Sequence, residues 1–180
     1  MAAVARRDAQ AFRTIVERHS PALYRYAYRF MGQANEAEDV VQDVFLKVWT
    51  RAGDWRPDRG SLGAWLRRVT TNRCIDKKRR RRLISDIEPP EVVDGACLAD
   101  DAANASRLAR VASDAVASLP ERQRAAIILT YYEDLPNAAA ADALSMKLKA
   151  FESLLVRARS ALATLVARAG VTAADLGSAP

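Results

Sequence analysis

Residues 35–50, NEAEDVVQDVFLKVWT, determine the fold class that we predict for this chain of 180 residues. Apolar side chains recur in this stretch at spacings of three and four residues, which is the repeat of an amphipathic α-helix. Asn35 and Glu38 have the spacing of a capping box, which predicts that the helix begins there. The predicted buried face comprises Ala37, Val40, Val41, Val44, Phe45, Val48 and Trp49.

Similar helical spacings lie on both sides of this segment, so we expect an all-α protein. Ser20 and Pro21 have the pattern of an N-cap and a first helical residue, which predicts a new helix that ends at Gly32. After a turn-rich loop at 53–60, Ser61 is expected to cap another helix. Further predicted core residues are Phe12, Ile15, Val16, Leu62, Trp65, Leu66, Val69, Leu108, Val111, Leu119, Ile127, Ile128 and Leu129.

Charge is unevenly distributed along the chain, whose formal net charge is +6. Residues 1–82 carry a net +10, residues 83–106 a net −6 and residues 107–180 a net +2. The basic first block favours a polyanionic partner, although a solvated surface has a similar composition. The acidic block has no sustained helical stripe. We therefore predict two small helical domains, at 1–82 and 107–170, joined by a flexible acidic linker and followed by a tail at 171–180.

The composition excludes several classes of protein. No apolar run approaches the roughly 20 residues that cross a bilayer, and residues 1–10 lack the apolar block of a secretory signal. Cys74 and Cys97 stand far apart without other metal ligands, so we expect no disulfide scaffold and no metal site. His19 has no nucleophile beside it, and no phosphate-binding glycine loop is visible. We predict a cytoplasmic protein that is not an enzyme and has no cofactor and no small-molecule substrate.

The outward face of the segment 35–50 carries a row of polar side chains. Asp39, Asp43 and Lys47 follow one another at intervals of four residues, with Gln42 and Leu46 beside them. Two carboxylates, an amide and an exposed leucine suit a basic partner helix. The same row is also compatible with a face that only contacts solvent.

The last helix of the first domain changes character along its length. Its apolar stripe meets Asn72, Arg73 and Asp76, and the basic run 77–82 follows. An asparagine side chain offers two donors and an acceptor, which is enough to read a base edge. Trp55, in the preceding loop, provides an aromatic surface on which an unstacked base could lie. Basic runs alone also occur in segments that bind RNA or acidic membranes.

Residues 135–162 have the outline of a helix-turn-helix, with a short alanine-rich helix, a tight turn at 145–147 and a longer helix. Ala141 is small where the two helices must approach each other. Leu148 and Phe151 are expected to anchor the second helix inward. The outward residues at the start of such a helix face base edges in the major groove, although similar helix pairs occur in bundles that bind no DNA. The outward residues are Lys147, Lys149, Glu152, Ser153, Val156 and Arg157.

Taken in order, these segments resemble a bacterial RNA polymerase sigma factor of the extracytoplasmic-function (ECF) group. The resemblance covers about residues 8–168 and depends on the order and spacing of several short segments. They are EDVVQDVF at 38–45, WRPDRGS at 55–61, Ala64-Trp65-Leu66 with Asn72, Asp76 and the basic run, LPERQR at 119–124 and LVRAR at 155–159.

The resemblance implies an alternative sigma factor that binds core RNA polymerase and directs promoter-specific transcription initiation. In this family, the helix matching 35–50 docks on the clamp helices of the large polymerase subunit, and the second domain reads the −35 element and meets the flap. Trp55 and Asn72 match positions that hold a base flipped out of the −10 element. The resemblance also implies an anti-sigma factor, which in some cases holds such a protein at the inner membrane.

The same resemblance implies a set of residues for each interface. Core polymerase would contact Asp39, Gln42, Asp43 and Leu46. The −10 element would contact Trp55, Arg68, Asn72, Arg73, Asp76 and Lys77. The −35 element would contact Lys147, Lys149, Glu152, Ser153, Arg157 and Arg159.

Several positions depart from the pattern of the family. Ala138–Ala141 stands where acidic residues are common, and Ser145 stands where the turn usually has a glycine. Glu152 and Leu154 occupy positions in the recognition helix that are often basic. Because of these departures, the resemblance implies a −35 role for the helix as a whole rather than for any single side chain.

Two other functions stay open at this point. A freestanding helix-turn-helix regulator would bind duplex DNA by itself, usually as a dimer on a two-fold site. An adaptor would use the basic run to bind RNA or acidic lipid, with steep salt dependence and little sequence preference. Neither explains the acidic linker or the arrangement of Trp55 and Asn72.

Overall fold

The computed structural model describes residues 1–85 and 103–170, and no strand occurs among them. This result confirms the prediction of an all-α protein with a helix-turn-helix in its second half. The predicted linker and tail fall largely outside the described residues, at 86–102 and 171–180. The helices are α1 (Ala2–Ala5), α2 (Ala9–Met31), α3 (Ala34–Thr50), α4 (Leu62–Ser85), α5 (Ala103–Ala117), α6 (Glu121–Ile127), α7 (Asn137–Ala143) and α8 (Leu148–Arg168).

Helices α2, α3 and α4 pack against one another and form the first half of the core. The predicted stripe of α3 lies inside this core, with Trp49 half-buried at its end and every other member buried. Phe12 packs edge-on against the rings of Phe45 and Trp49. The Ser61 hydroxyl accepts a hydrogen bond from the Ala64 N–H at 3.2 Å, which confirms the predicted cap of α4.

The predicted helix boundary at Ser20–Pro21 is wrong, because α2 continues without interruption through this point. Pro21 removes one backbone donor from the helix. However, Ile15 before it and Leu23 after it are buried in the same core, so packing on both sides keeps the helix continuous. The helix begins instead at Ala9 and is capped by Asp8, whose carboxylate accepts a hydrogen bond from the Ala11 N–H at 2.9 Å.

The predicted capping box at the start of α3 is also wrong. Gly32 ends α2 with a left-handed φ of 79°, and Gln33 is already the N-cap of α3. Asn35 therefore lies inside the first turn, where its side-chain oxygen accepts a hydrogen bond from the neighbouring Glu36 N–H at 2.8 Å. Because the turn after α2 is tight, α3 begins at Ala34, one residue before Asn35.

Helices α5, α6 and α7 pack around α8 in the second half of the core. Phe151, Leu154, Leu155 and Ala158 form the buried stripe of α8. Between α6 and α7 the chain makes one π-helical turn at Ile128–Tyr132. No helix in the described ranges is long and apolar enough to cross a bilayer.

The two halves contact each other, which the sequence did not predict. Helix α4 of the first half packs against α6 and α7 of the second half. Ala140 and Ala141 of α7 are buried, and their small side chains permit close approach to both α4 and α8. The alanine run that departs from the family pattern therefore lies in a crowded part of the fold.

Arg124 of α6 joins the two halves through backbone carbonyls. Its guanidinium donates hydrogen bonds to the carbonyl of Phe30 at 2.9 Å, to that of Leu119 at 3.4 Å, and to that of Ala117. Phe30 lies in the last turn of α2, and Ala117 is the last residue of α5, so these carbonyls lack helical partners. A single buried cation thus caps two helix C-termini, where positive charge is also favoured by the helix dipoles.

Candidate functional site

The turn between α7 and α8 has a well-defined backbone geometry. The N–H groups of Ser145 and Met146 donate to the carbonyls of Asp142 and Ala141 at 3.0 and 2.9 Å, which closes α7 with a Schellman motif. Ser145 has a left-handed φ of 54°, a conformation that favours glycine and is strained for serine. The turn sets the direction in which α8 leaves α7.

The outward side of α8 presents the residues that the sequence assigned to the −35 element. All six of them, from Lys147 to Arg159, are exposed. Phe151 is fully buried, as predicted, but Leu148 is 45% exposed, so its predicted anchoring role is wrong. Leu148 is the first residue of α8, and the buried stripe of the helix begins one turn later.

Local contacts distinguish the candidate DNA-binding residues of α8 from one another. The Ser153 hydroxyl donates to the Lys149 carbonyl at 3.0 Å, and Arg157 Nε donates to the Ser153 carbonyl at 3.3 Å. Arg159 lies over the ring of Tyr131, 5.9 Å from its centroid. Arg159 is therefore held beside the π-helical turn, whereas Lys149 and Ser153 are exposed in the first two turns of α8.

Helix α4 presents three rows of side chains, and the members of each row are four residues apart. Leu66, Thr70 and Cys74 are buried, and burial raises the pKa of the Cys74 thiol far above its ordinary value. A second row is exposed to solvent and contains three of the residues assigned to the −10 element. This row comprises Arg68, Asn72, Asp76 and Arg80.

The third row of α4 pairs with the acidic residues of α3. Lys77 Nζ lies 2.7 Å from Asp39 Oδ2, and Arg73 Nε donates to Asp43 Oδ2 at 2.7 Å. One turn further along, Arg81 Nη1 lies 2.9 Å from Glu36 Oε1. We call the pairs 39–77, 43–73 and 36–81 the α3–α4 ladder.

The ladder brings together residues that the sequence assigned to different partners. Asp39 and Asp43 were expected to face polymerase, whereas Arg73 and Lys77 were expected to face DNA. Gln42 is exposed and Leu46 is 60% exposed, so the outer edge of the α3 face stays open beside the ladder.

The loop before α4 holds Trp55 between two short 3₁₀ turns, Ala52–Asp54 and Pro57–Arg59. Ala52 is buried and anchors the loop, while Trp55 is partly exposed. Trp55 Nε1 is buried and has no hydrogen-bond partner among the described residues. No hydrogen bond or ring contact in the described parts joins Trp55 to Asn72, which lies about 15 Å along α4 from its start at Leu62.

The sequence patterns did not predict the charged residues that lie at the junction of the two halves. Arg29 Nη1 lies 3.7 Å from Glu133 Oε1, and the Arg29 guanidinium lies 5.2 Å from the ring centroid of Tyr132. Burial raises the pKa of Glu133, while Arg67 and Arg29 act in the opposite direction. No group of three or more potential metal ligands occurs in the described residues.

Comparison with known proteins relates both halves to sigma-70 factors. Residues 15–84 match the sigma-70 region 2 family, and residues 110–162 match the sigma-70 region 4 family. The chain is 33% identical to the ECF RNA polymerase sigma factor SigE of Mycolicibacterium smegmatis, over 86% of this chain but only 61% of SigE, so it spans less than two thirds of that relative.

Two further relatives are covered over most of their length. ECF RNA polymerase sigma factor SigK of Mycobacterium sp. (strain KMS) is 31% identical, with coverage of 83% of this chain and 80% of SigK. RNA polymerase sigma factor CnrH of Cupriavidus metallidurans is 34% identical, with coverage of 87% of each chain. The solved structure of CnrH in complex with the cytosolic domain of CnrY has a TM-score of 0.66 at 29% identity, over 93% of this chain and 94% of CnrH.

Proposed function

Because this chain belongs to the family of ECF RNA polymerase sigma factors, and is thus an alternative sigma factor, we propose that it binds core RNA polymerase and directs promoter-specific transcription initiation. The observation that carries the proposal is the exposure of two separate candidate recognition faces, one on α4 and one on α8. Each face lies within the residues that match one sigma region.

The polymerase-docking face is the outer side of α3. Its exposed residues Asp39, Gln42 and Leu46 offer a carboxylate, an amide and an apolar side chain to a basic helix. Asp43 contributes a second carboxylate that is already engaged by Arg73. We assign the clamp helices of the large polymerase subunit to this face, as the family resemblance implies.

The −10 element is assigned to the exposed row of α4 and to Trp55. Asn72 has the donors and the acceptor to read a base edge, and Arg68 and Arg80 of the same exposed row suit phosphate. Removing a base from the stack costs a few kcal/mol, which stacking on an aromatic ring and base-edge hydrogen bonds offset. The partly exposed ring of Trp55 supports such a role.

The −35 element is assigned to the outward face of α8, with Ser153 and Arg157 as readers of bases. Lys147, Lys149 and Arg159 suit phosphate contacts. Glu152 is exposed and could accept a hydrogen bond from a cytosine amine. The flap of polymerase remains the proposed partner of the second half as a whole.

The contact between the halves must open if both elements are bound at once. Elements centred at −10 and −35 are 25 base pairs apart by their names, or about 85 Å along B-form DNA. A compact chain of this length has a radius of gyration of only about 16 Å. The proposed activity therefore includes separation of α4 from α6 and α7 on the promoter.

An anti-sigma factor is the further partner that we propose. The related CnrH was solved in complex with the cytosolic domain of CnrY, so a sigma factor of similar sequence and fold binds another protein. We place the activity in the cytoplasm, where core polymerase acts, and tethering at the inner membrane would depend on the anti-sigma factor.

Two exposed leucines provide a matched test of the docking face. Leu46 is 60% exposed on α3, and Leu83 is 63% exposed at the end of α4. Leu46→Asp should weaken binding to core polymerase by tenfold or more, because burying an unpaired carboxylate in an interface is costly. Leu83→Asp should leave this affinity unchanged. Equal affinities of the two variants for core polymerase, measured by fluorescence anisotropy, would remove the α3 face from the interface.

Asn72→Ala tests the −10 assignment in transcription assays with core polymerase. The variant should reduce promoter opening, measured by permanganate reactivity of unpaired thymines, while core binding stays at the wild-type level. An equal loss of opening and core binding would contradict the assignment of Asn72 to the promoter.

A further inference from the structure

Two pairs of the α3–α4 ladder, 39–77 and 43–73, join side chains whose proposed partners have opposite charge. Asp39 and Asp43 are assigned to a basic surface of polymerase, and Lys77 and Arg73 to nucleic acid. In the free chain each group instead has its counter-charge within the same domain, at 2.7 Å for both pairs. The positive charge of α4 is therefore partly neutralised where the helix lies beside α3.

Two pairs of the ladder, 39–77 and 43–73, are positioned so that external partners can compete for them. The side chain of Asp39 is 62% exposed and that of Asp43 is 39% exposed, so both carboxylates can be reached from outside. Ion pairs at this degree of exposure typically change an equilibrium constant by less than tenfold each. Such pairs are weak enough to exchange partners when a protein or a phosphate backbone approaches.

We propose that the α3–α4 ladder couples the polymerase-docking face to the −10 face. In the free chain, Asp39 and Asp43 shield Lys77 and Arg73 from nucleic acid. When basic groups of a partner engage the two carboxylates, the shielding falls and the affinity of α4 for DNA rises. By reciprocity, DNA that engages Lys77 and Arg73 raises the affinity of the acidic face for its basic partner. This inference rests on the proposed function and adds a mechanism for linking its two binding events.

The shielding can be tested on the full chain without polymerase. The probe is a fluorescein-labelled single-stranded oligodeoxynucleotide of random sequence, titrated by anisotropy over a series of NaCl concentrations. Asp39→Asn with Asp43→Asn should raise affinity roughly 2- to 30-fold at low salt. Because two cations become available to phosphates, the slope of log K against log salt should steepen by about 1.4.

The control must change the net charge equally without touching the ladder. Glu17 and Glu38 are exposed and form no ion pair in the described residues. Glu17→Gln with Glu38→Gln should change affinity and salt slope much less than the ladder variant. If both double variants raise affinity equally, net charge explains the effect and the coupling is refuted.

A further set of variants tests whether the increase in DNA affinity depends on Arg73 and Lys77. When Arg73→Ala and Lys77→Ala are present, Asp39→Asn with Asp43→Asn should no longer raise DNA affinity. An undiminished increase in that background would overturn the proposal. If the double asparagine variant loses helix content, Asp39→Asn alone provides the same comparison at the more exposed pair. Absence of core binding by the wild type would instead contradict the proposed function, because this DNA assay contains no polymerase.

Discussion

The buried guanidinium of Arg124 leads to a quantitative prediction about how the two halves unfold. Arg124→Met keeps most of the apolar length of the side chain but removes every donor. The carbonyls of Phe30 and Leu119, which accept from Arg124 in a buried environment, would lose these partners. Each unsatisfied buried acceptor costs about 1–3 kcal/mol. Desolvation of the buried cation lowers the pKa of Arg124. Because the methionine variant has no charge to desolvate, this gain offsets part of the cost.

We therefore expect Arg124→Met to lower the free energy of unfolding by about 3 kcal/mol. The assay is urea denaturation, followed in parallel by far-UV circular dichroism and by tryptophan fluorescence. Trp49, Trp55 and Trp65 all lie in the first half, so fluorescence reports on that half alone. The two transitions should coincide in the wild type and separate in the variant, because the link between the halves is lost.

Arg122→Met is the matched control, because Arg122 lies on the same helix but is exposed. It should change the free energy of unfolding by less than about 0.5 kcal/mol. If Arg124→Met matches this control in both stability and coincidence of the transitions, Arg124 does not join the halves.

Three further predictions concern single buried or strained groups. In a Cys97→Ser background, native Cys74 should resist iodoacetamide and react only after unfolding, because burial raises its pKa. Glu133→Gln should raise the melting temperature at neutral pH, because burial raises the pKa of Glu133. When folding raises the pKa of a carboxyl group, ionisation of that group lowers the free energy of unfolding as the pH rises above its unfolded-state pKa. The advantage of Glu133→Gln should therefore disappear in melting curves near pH 4, where the carboxyl group is largely protonated in the folded protein. Ser145→Gly should increase the free energy of unfolding in urea by about 0.5–1 kcal/mol, because glycine relieves the left-handed conformation.

Local patterns predicted much of the fold correctly. The stripe of α3 and the cap at Ser61 follow from residues three or four positions apart, and such contacts form within one helix. The errors arose where tertiary packing changed the outcome. Pro21 lies within α2 because the core holds both of its flanks, and Leu148 is exposed because α8 starts before its buried stripe does.

The candidate site was predictable as separate helix faces but not as an arrangement. Spacing within α3 predicted its acidic row, and spacing within α4 predicted where that helix turns polar. The pairing of Asp39 with Lys77 depends on the register between two helices, which no local pattern encodes. The hydrogen bond from Arg124 to Phe30 spans 94 positions, so it depends on how the two halves meet.

The most direct test of sigma activity is run-off transcription from a library of random −35 and −10 sequences. Core polymerase is supplied in every reaction, and the chain is either added or omitted. We predict transcripts that depend on the chain and start at a fixed distance from shared −35 and −10 motifs. Absence of such transcripts together with absence of core binding would contradict the assignment and favour a DNA-binding protein that acts without polymerase.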